Sequence, residues 1–256
     1  MNSYAILTDL TKCIGCEACV YACKEINNLP RNDNGNKQLS AYTWTTIERR
    51  NGVNIRHQCM HCDDPACVSV CPVGALTKTA SGAVTYAPDI CFGCRYCLMA
   101  CPFEIPKYQW DKTLPYMQKC ILCYEKRLED GKEPACTSVC PTGATIFGGK
   151  EELIEVARER IKEFPDRYVD HIYGEREAGG ASVLYLTDVP FEKLGFKDLM
   201  KDQTYPKLTW RILTHIPNVV TTGAVTLFGI WWIINRRIQV EQESLHQDGG
   251  KSNHEK

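Results

Sequence analysis

Sixteen cysteines fall into four groups of four: Cys13, Cys16, Cys19 and Cys23; Cys59, Cys62, Cys67 and Cys71; Cys91, Cys94, Cys97 and Cys101; Cys120, Cys123, Cys136 and Cys140. No other feature constrains the fold as strongly, because a group so spaced must aim its thiols at something. Disulfides, structural zinc and iron–sulfur clusters compete for that role. A disulfide scaffold belongs to short secreted chains and does not call for repeated C-x-x-C pairs. Two cysteines in C-x-x-C direct both thiolates into one small volume, which suits a metal centre.

The first and third groups follow C-x2-C-x2-C-x3-C. In a bacterial ferredoxin run of this kind the fourth cysteine ligates the other cluster of a two-cluster unit. Three cysteines in a tight loop wrap three corners of a [4Fe–4S] cube, while the fourth, beginning a helix or turn further on, is carried away from it. Cys101 is therefore expected to serve a neighbouring cluster, and a cysteine from elsewhere completes the set of Cys91, Cys94 and Cys97. The second and fourth groups place four residues between Cys62 and Cys67 and twelve between Cys123 and Cys136, yet both keep C-x3-C-P. The longer gaps read as insertions in the ligand loop, with Asp130–Pro134 a polar surface turn. Zinc held by four thiolates remains the alternative for these two groups. Against it, CPVGAL from Cys71 and CPTGAT from Cys140 look like one turn used twice. Cys23 is followed by Lys24 instead of proline, so the turn after it must differ.

The rest of the composition excludes more than it identifies. With 256 residues, 24% of them charged, and a net charge of −1, there is no electrostatic case for a nucleic-acid partner. Neither a nucleotide-binding glycine loop, nor a nucleophile motif, nor an acid–base pair distinct from scaffold charges is found, so no catalytic residue is assigned. No secretory or twin-arginine signal is visible at the start, where MNSYAILTDLTK leads from a short alternating strand into the first motif.

The stretches TKCIGCEACVYAC, CMHCDDPACVSVCPVGAL, CFGCRYCLMACPFEIPKY and KCILCYEKRLEDGKEPACTSVCPTGAT together resemble the four-cluster iron–sulfur (beta) subunit of membrane-bound oxidoreductases. That family serves molybdenum or tungsten enzymes such as formate dehydrogenase, periplasmic nickel–iron hydrogenases, and polysulfide, sulfoxide and nitrite-linked reductases. The likeness covers residues 4–150 closely and extends to HIYGEREAGGASVLYLTDVPFEKLGF at 171–196. It implies crosswise pairing of the groups. Cys13, Cys16 and Cys19 would share a [4Fe–4S] cluster with Cys140; Cys120, Cys123 and Cys136 with Cys23; Cys59, Cys62 and Cys67 with Cys101; and Cys91, Cys94 and Cys97 with Cys71. All sixteen positions are cysteine, so four [4Fe–4S] clusters are expected, and their implied spatial order is first, fourth, second, third group. The implied partners are a catalytic subunit on one side and a quinone-reactive or cytochrome b membrane subunit on the other. The alternative is a membrane-tethered polyferredoxin exchanging electrons with soluble partners.

The fold class expected is α+β: two interleaved bacterial-ferredoxin-like modules over residues 1–149, with first and fourth motifs in one and second and third in the other. A peripheral helix and extension follow at 150–209, a transmembrane helix at 210–237 and a polar, disordered tail at 238–256. Strand-like alternation marks 40–56 and 82–87, with Asn51–Gly52 as a hairpin turn. KEELIEVARERIKEFP at 150–165 has the apolar spacing of an amphipathic helix stopped by Pro165. His57 and His61, flanking Cys59, read as loop or interface residues that could also tune a cluster. No charged residue lies between Arg211 and Arg236, and Trp210 and Trp231–Trp232 bracket the stretch. Residues 212–234 would span about 35 Å as a helix, enough for a bilayer core. His215 reads as a polar residue near its end, with a quinone or haem contact as the sharper alternative. Arg236 and Arg237 favour a cytoplasmic tail, nearly offset by Lys207 and Arg211. The expected address is the cytoplasmic membrane, single-pass, with the cluster domain on its periplasmic face, exported with a partner.

Overall fold

The computed structural model describes residues 3–31, 38–113 and 115–251, with side chains to Glu243. These form two units, one ending at Pro206 and the other beginning at Lys207.

The first unit is organised by β1 (Tyr4–Asp9), which forms the centre of a three-stranded sheet. β1 runs antiparallel to β8 (Thr145–Gly149) and parallel to β9 (Val183–Leu186). Its alternation sends Ala5 and Leu7 to one face and Ile6 to the other. Ala5 and Leu7 pack with Leu184, Leu186, Leu153 and Ala157, the last two on α5 (Lys150–Glu163). Ile6 joins Val183, Tyr185, Ile55, Met60 and Leu122 in the core that faces the cysteines.

The remaining strands come as hairpins. β2 (Thr46–Arg50) and β3 (Val53–His57) close through Asn51 and Gly52, at φ 48° and 82°, the left-handed pair that an Asn-Gly turn supplies. β4 (Leu76–Lys78) pairs with β5 (Val84–Tyr86), and β6 (Lys107–Tyr108) with β7 (Met117–Gln118). The alternation expected over 40–56 begins as a strand only at Thr46; Ser40 and Thr43 form an isolated bridge before it.

Each cysteine group enters a short helix: α1 (Ala18–Ile26), α2 (Ala66–Ser69), α3 (Tyr96–Ala100) and α4 (Ala135–Ser138). α1 packs against α4, and α2 against α3.

The stretch 150–209 is not peripheral. All four residues of β9 are buried, and Cys62 and Ala181 form a β-bridge. Lys150 pairs with Asp63, Thr204 Oγ1 donates to Asp64 Oδ2 at 2.5 Å, and the Ser182 amide donates to the carbonyl of Met60 at 3.1 Å. VLYL is apolar on both faces, which suits a strand covered on both sides, and a short apolar run does not announce that from sequence alone.

In the second unit, α6 (Tyr205–Leu213, beginning at the boundary) gives way at Thr214 and His215 to α7 (Ile216–Lys251). Pro217 lies in the first turn of α7, where its missing N–H costs nothing. Within Tyr205–Glu243 an 18-residue window has a mean hydropathy of 1.4, and the stretch is long and apolar enough to cross a membrane. Its hydroxyls are satisfied along the helix, Thr221 and Thr226 donating to Pro217 and Thr222 carbonyls, each at 2.8 Å. The span is thus not one helix over 210–237. Nor is 238–251 irregular: the helix continues to Lys251, since residues 238–243 (IQVEQE) are compatible with extending a helix already nucleated. Residues 252–256 of the expected tail lie outside the described residues.

Candidate functional site

The four cysteine loops share one local device. The residue before the second cysteine of each group is left-handed: Gly15 (φ 72°), His61 (φ 51°), Gly93 (φ 77°) and Leu122 (φ 59°). That turn swings the chain so that the cysteines on either side face a common space. Glycine supplies it without strain in the first and third groups. At Gly93 a side chain would also collide with its neighbour, a Cβ there falling 2.2 Å from the Tyr108 hydroxyl. His61 and Leu122 adopt it because they are locked in place, both essentially fully buried. His61 Nδ1 accepts the Val84 amide at 2.9 Å, which leaves the ring hydrogen on Nε2. His61 is therefore an interior brace and not a loop surface residue. His57 is partly exposed, with Nε2 3.4 Å from Glu48 Oε2, and burial lowers its pKa.

The helices begin one residue before the third cysteine of each group, at Ala18, Ala66, Tyr96 and Ala135, and not at the fourth as expected. Cys23 lies inside α1, four residues of helical rise or about 6 Å beyond Cys19, whereas Cys71, Cys101 and Cys140 follow the ends of their helices.

Strand pairing decides which groups meet. Thr8 pairs with Thr145, five residues before Cys13 and five after Cys140. Leu76 pairs with Tyr86, five residues after Cys71 and five before Cys91. The same register is thus built twice, once between first and fourth groups and once between second and third.

The thiols are gathered accordingly. One cavity is lined by Cys23, Cys120, Cys123 and Cys136, together with Arg56, Asn27 and Thr45. Another is lined by Cys71, Cys91, Cys94 and Cys97, together with Tyr86 and Tyr108. Cys13 lies within electrostatic reach of Cys140 and Cys16, and Cys62 of Cys59, Cys101 and Cys67. Between these sets, Cys19 is near Cys136, Cys120 near Cys59, and Cys67 near Cys97. These couplings link the first group to the fourth, the fourth to the second and the second to the third.

Burial is the leading influence on these thiols, and neighbouring cysteines add to it. Together they push up Cys13, Cys19, Cys62, Cys101, Cys120 and Cys123. Cys23 and Cys67 rise to about 12 and Cys97 to about 11. Such thiols stay protonated until a metal displaces the proton. Cys140 differs. Burial acts to raise it, but hydrogen bonding from Thr145, Thr142 and Ala144 outweighs burial and lowers it.

The surroundings suit an anionic group. Lys119, 3% exposed, donates to the carbonyl of Cys120 at 2.9 Å, and Lys78 to that of His61 at 2.9 Å. Arg56 Nε and Nη1 and His61 Nε2 are buried N–H donors with no partner among the described residues. Among the described residues no three His, Cys, Asp or Glu side chains gather at the spacing of a single ion. A donor set of thiols, buried cations and spare N–H groups fits a sulfide-containing cluster.

Two family profiles match, each described as a 4Fe-4S dicluster domain, at residues 12–75 and 52–150. The chain is 38% identical over 258 residues to a protein of Nitratidesulfovibrio vulgaris, covering 94% of this chain and 70% of that one. It is 42% identical over 242 residues to the hydrogenase-2 operon protein HybA of Escherichia coli O157:H7, covering 77% and 74%. It is 35% identical over 269 residues to the formate dehydrogenase-O iron-sulfur subunit of Escherichia coli K12, covering 95% and 88%. The chain belongs to the family of ferredoxin-type 4Fe-4S oxidoreductase subunits. The second and fourth groups both lie inside the 52–150 match, which favours iron–sulfur ligation over zinc. Exposed apolar side chains stand beside two of the cysteine groups. Ile14 and Tyr21 flank the first group, while Phe92, Tyr96, Met99 and Trp110 surround the third.

Proposed function

We propose that this chain is the electron-transfer subunit of a membrane-associated oxidoreductase, built as two interleaved ferredoxin-like modules. In this reading Cys13, Cys16, Cys19 and Cys140 hold one [4Fe–4S] cluster, and Cys120, Cys123, Cys136 and Cys23 a second. Cys59, Cys62, Cys67 and Cys101 hold a third, and Cys91, Cys94, Cys97 and Cys71 the fourth. The observation that carries the reading is the pair of cavities, each lined by one complete quartet drawn from two separate motifs. When bound, each cluster takes up and releases one electron. The protein contributes thiolates, burial and positioning: Cys59, Cys67, Cys120, Cys123 and Cys136 are buried, which keeps water from the two middle quartets. The contacts of Cys19 with Cys136, Cys120 with Cys59, and Cys67 with Cys97 support a single line of transfer.

The partners proposed are a catalytic subunit carrying molybdenum, tungsten or nickel–iron at one end and a quinone-reactive or cytochrome b subunit at the other. The formate dehydrogenase and hydrogenase names among its relatives support the first. The long apolar helix supports the second, as a single anchor, and the outer face is proposed for the cluster domain from Arg236 and Arg237 beyond the apolar stretch. Purification from native membranes in mild detergent tests this. Stoichiometric recovery of a large metal-cofactor subunit and a multi-span membrane protein is expected. Recovery of the chain alone with its iron would replace the fixed complex with a tethered polyferredoxin.

A further inference from the structure

Arg56 is 1% exposed, the largest fully buried side chain in the described residues. It sits on β3, where the Tyr185 hydroxyl donates to its backbone carbonyl at 2.7 Å. Its Nη2 donates to Gln58 Oε1 at 2.5 Å, while Nε and Nη1 have no partner among the described residues. Among the described residues no carboxylate is paired with it; the titratable groups within electrostatic reach of it are Cys136, Cys19, Tyr185 and Cys120. Cys13, Cys23 and Cys123 also lie within reach of its charge. These cysteines come from the quartet containing Cys13 and the quartet containing Cys120.

A guanidinium stays charged, and burying it without an anion is strongly unfavourable. Two spare N–H donors in a cavity lined by four thiols point the same way, because an unpaired buried donor is costly unless something accepts its hydrogen. We infer that Arg56 is a positioning residue shared by two clusters, compensating the negative charge of the quartet containing Cys13 and of the quartet containing Cys120, and holding both potentials up. The inference rests on the four-cluster reading above. Its logic is electrostatic: each reduction adds one negative charge, and a fixed cation in a dry site favours the reduced form. The quartet containing Cys59, which has Lys78 and Lys119 near Cys62 and Cys67 instead, and the quartet containing Cys91 lie outside this effect.

The test is an EPR-monitored redox titration of the complex purified with its own partners, with iron and sulfide determined on each preparation. Arg56→Gln is compared with Arg56→Lys and with the unaltered chain. At undiminished iron, Arg56→Gln is expected to lower two of the midpoint potentials and leave the other two in place, and Arg56→Lys to return them toward the starting values. Unmoved potentials in Arg56→Gln, or equal shifts in both variants, overturn the inference. If Arg56→Gln loses iron, retention by Arg56→Lys sustains the charge role, and equal loss overturns it, packing then being what the side chain supplies. Iron in the unaltered chain well short of about sixteen, the content of four [4Fe–4S] clusters, would instead overturn the reading on which the inference rests.

Discussion

Tyr168 donates its hydroxyl to Asp9 Oδ2 at 2.8 Å, joining positions 159 apart in the sequence. Asp9 is fully buried where β1 ends, four residues before Cys13. It also accepts from the Thr11 hydroxyl at 2.7 Å and from Arg160 at 3.1 Å. The segment after the last cysteine thereby braces the first ligand loop.

Removing that hub leaves Arg160 and Tyr168 without their acceptor. Asp9→Ala is expected to destabilise the unit by about 2–4 kcal/mol, the range for breaking a buried charged network. Denaturant unfolding measures it; a loss below about 1 kcal/mol would mean that the contact is incidental.

Cys140 joins the first group through the Thr8–Thr145 register. Cys140→Ala should remove or degrade one cluster and leave the other three. Iron analysis with EPR checks this, and the lost signal should be that of the quartet containing Cys13. Loss of the fourth-group cluster instead, with the first intact, would show that the fourth cysteine serves its own loop.

Two glycines with nearly equal φ separate strain from collision. Gly93 (φ 77°) would place a Cβ 2.2 Å from Tyr108 Oη, whereas Gly131 (φ 71°) would meet nothing within 4 Å. Gly131→Ala should cost about 1–2 kcal/mol, the left-handed penalty alone. Gly93→Ala should cost about 1–3 kcal/mol more, as overpacking does, and should disturb the third-group cluster. Equal costs would show that Tyr108 moves aside freely.

Iron removal should unfold the first unit. Cys136 belongs to its main apolar core, and Cys59 and Cys120 form a smaller one with Ile105. Where ligands and core coincide, metal binding free energy is folding free energy. A chelator under reducing conditions is expected to abolish the cooperative thermal transition seen by circular dichroism. A stripped chain that still melts cooperatively would contradict this.

The spacing of sixteen cysteines determined the chemistry, because ligand geometry is local: three thiols within seven residues can reach one cube whatever the surrounding fold. The Asn51–Gly52 turn and the amphipathic run from Lys150 were legible for the same reason, each being a short-range preference. The apolar stretch before Arg236 was legible as a possible membrane span by composition alone. Tertiary structure decided the rest. β9 enters the sheet beside β1 although nothing in VLYL names its neighbour, since strand pairing is set by contacts far apart in sequence. His61 takes a left-handed turn that its type disfavours, held there by Val84. Arg56, which alternation along β3 assigns only to one face of a hairpin, is buried among thiols from two motifs. Its burial is favourable only once the anionic groups it faces have been brought together, and folding is what brings them together.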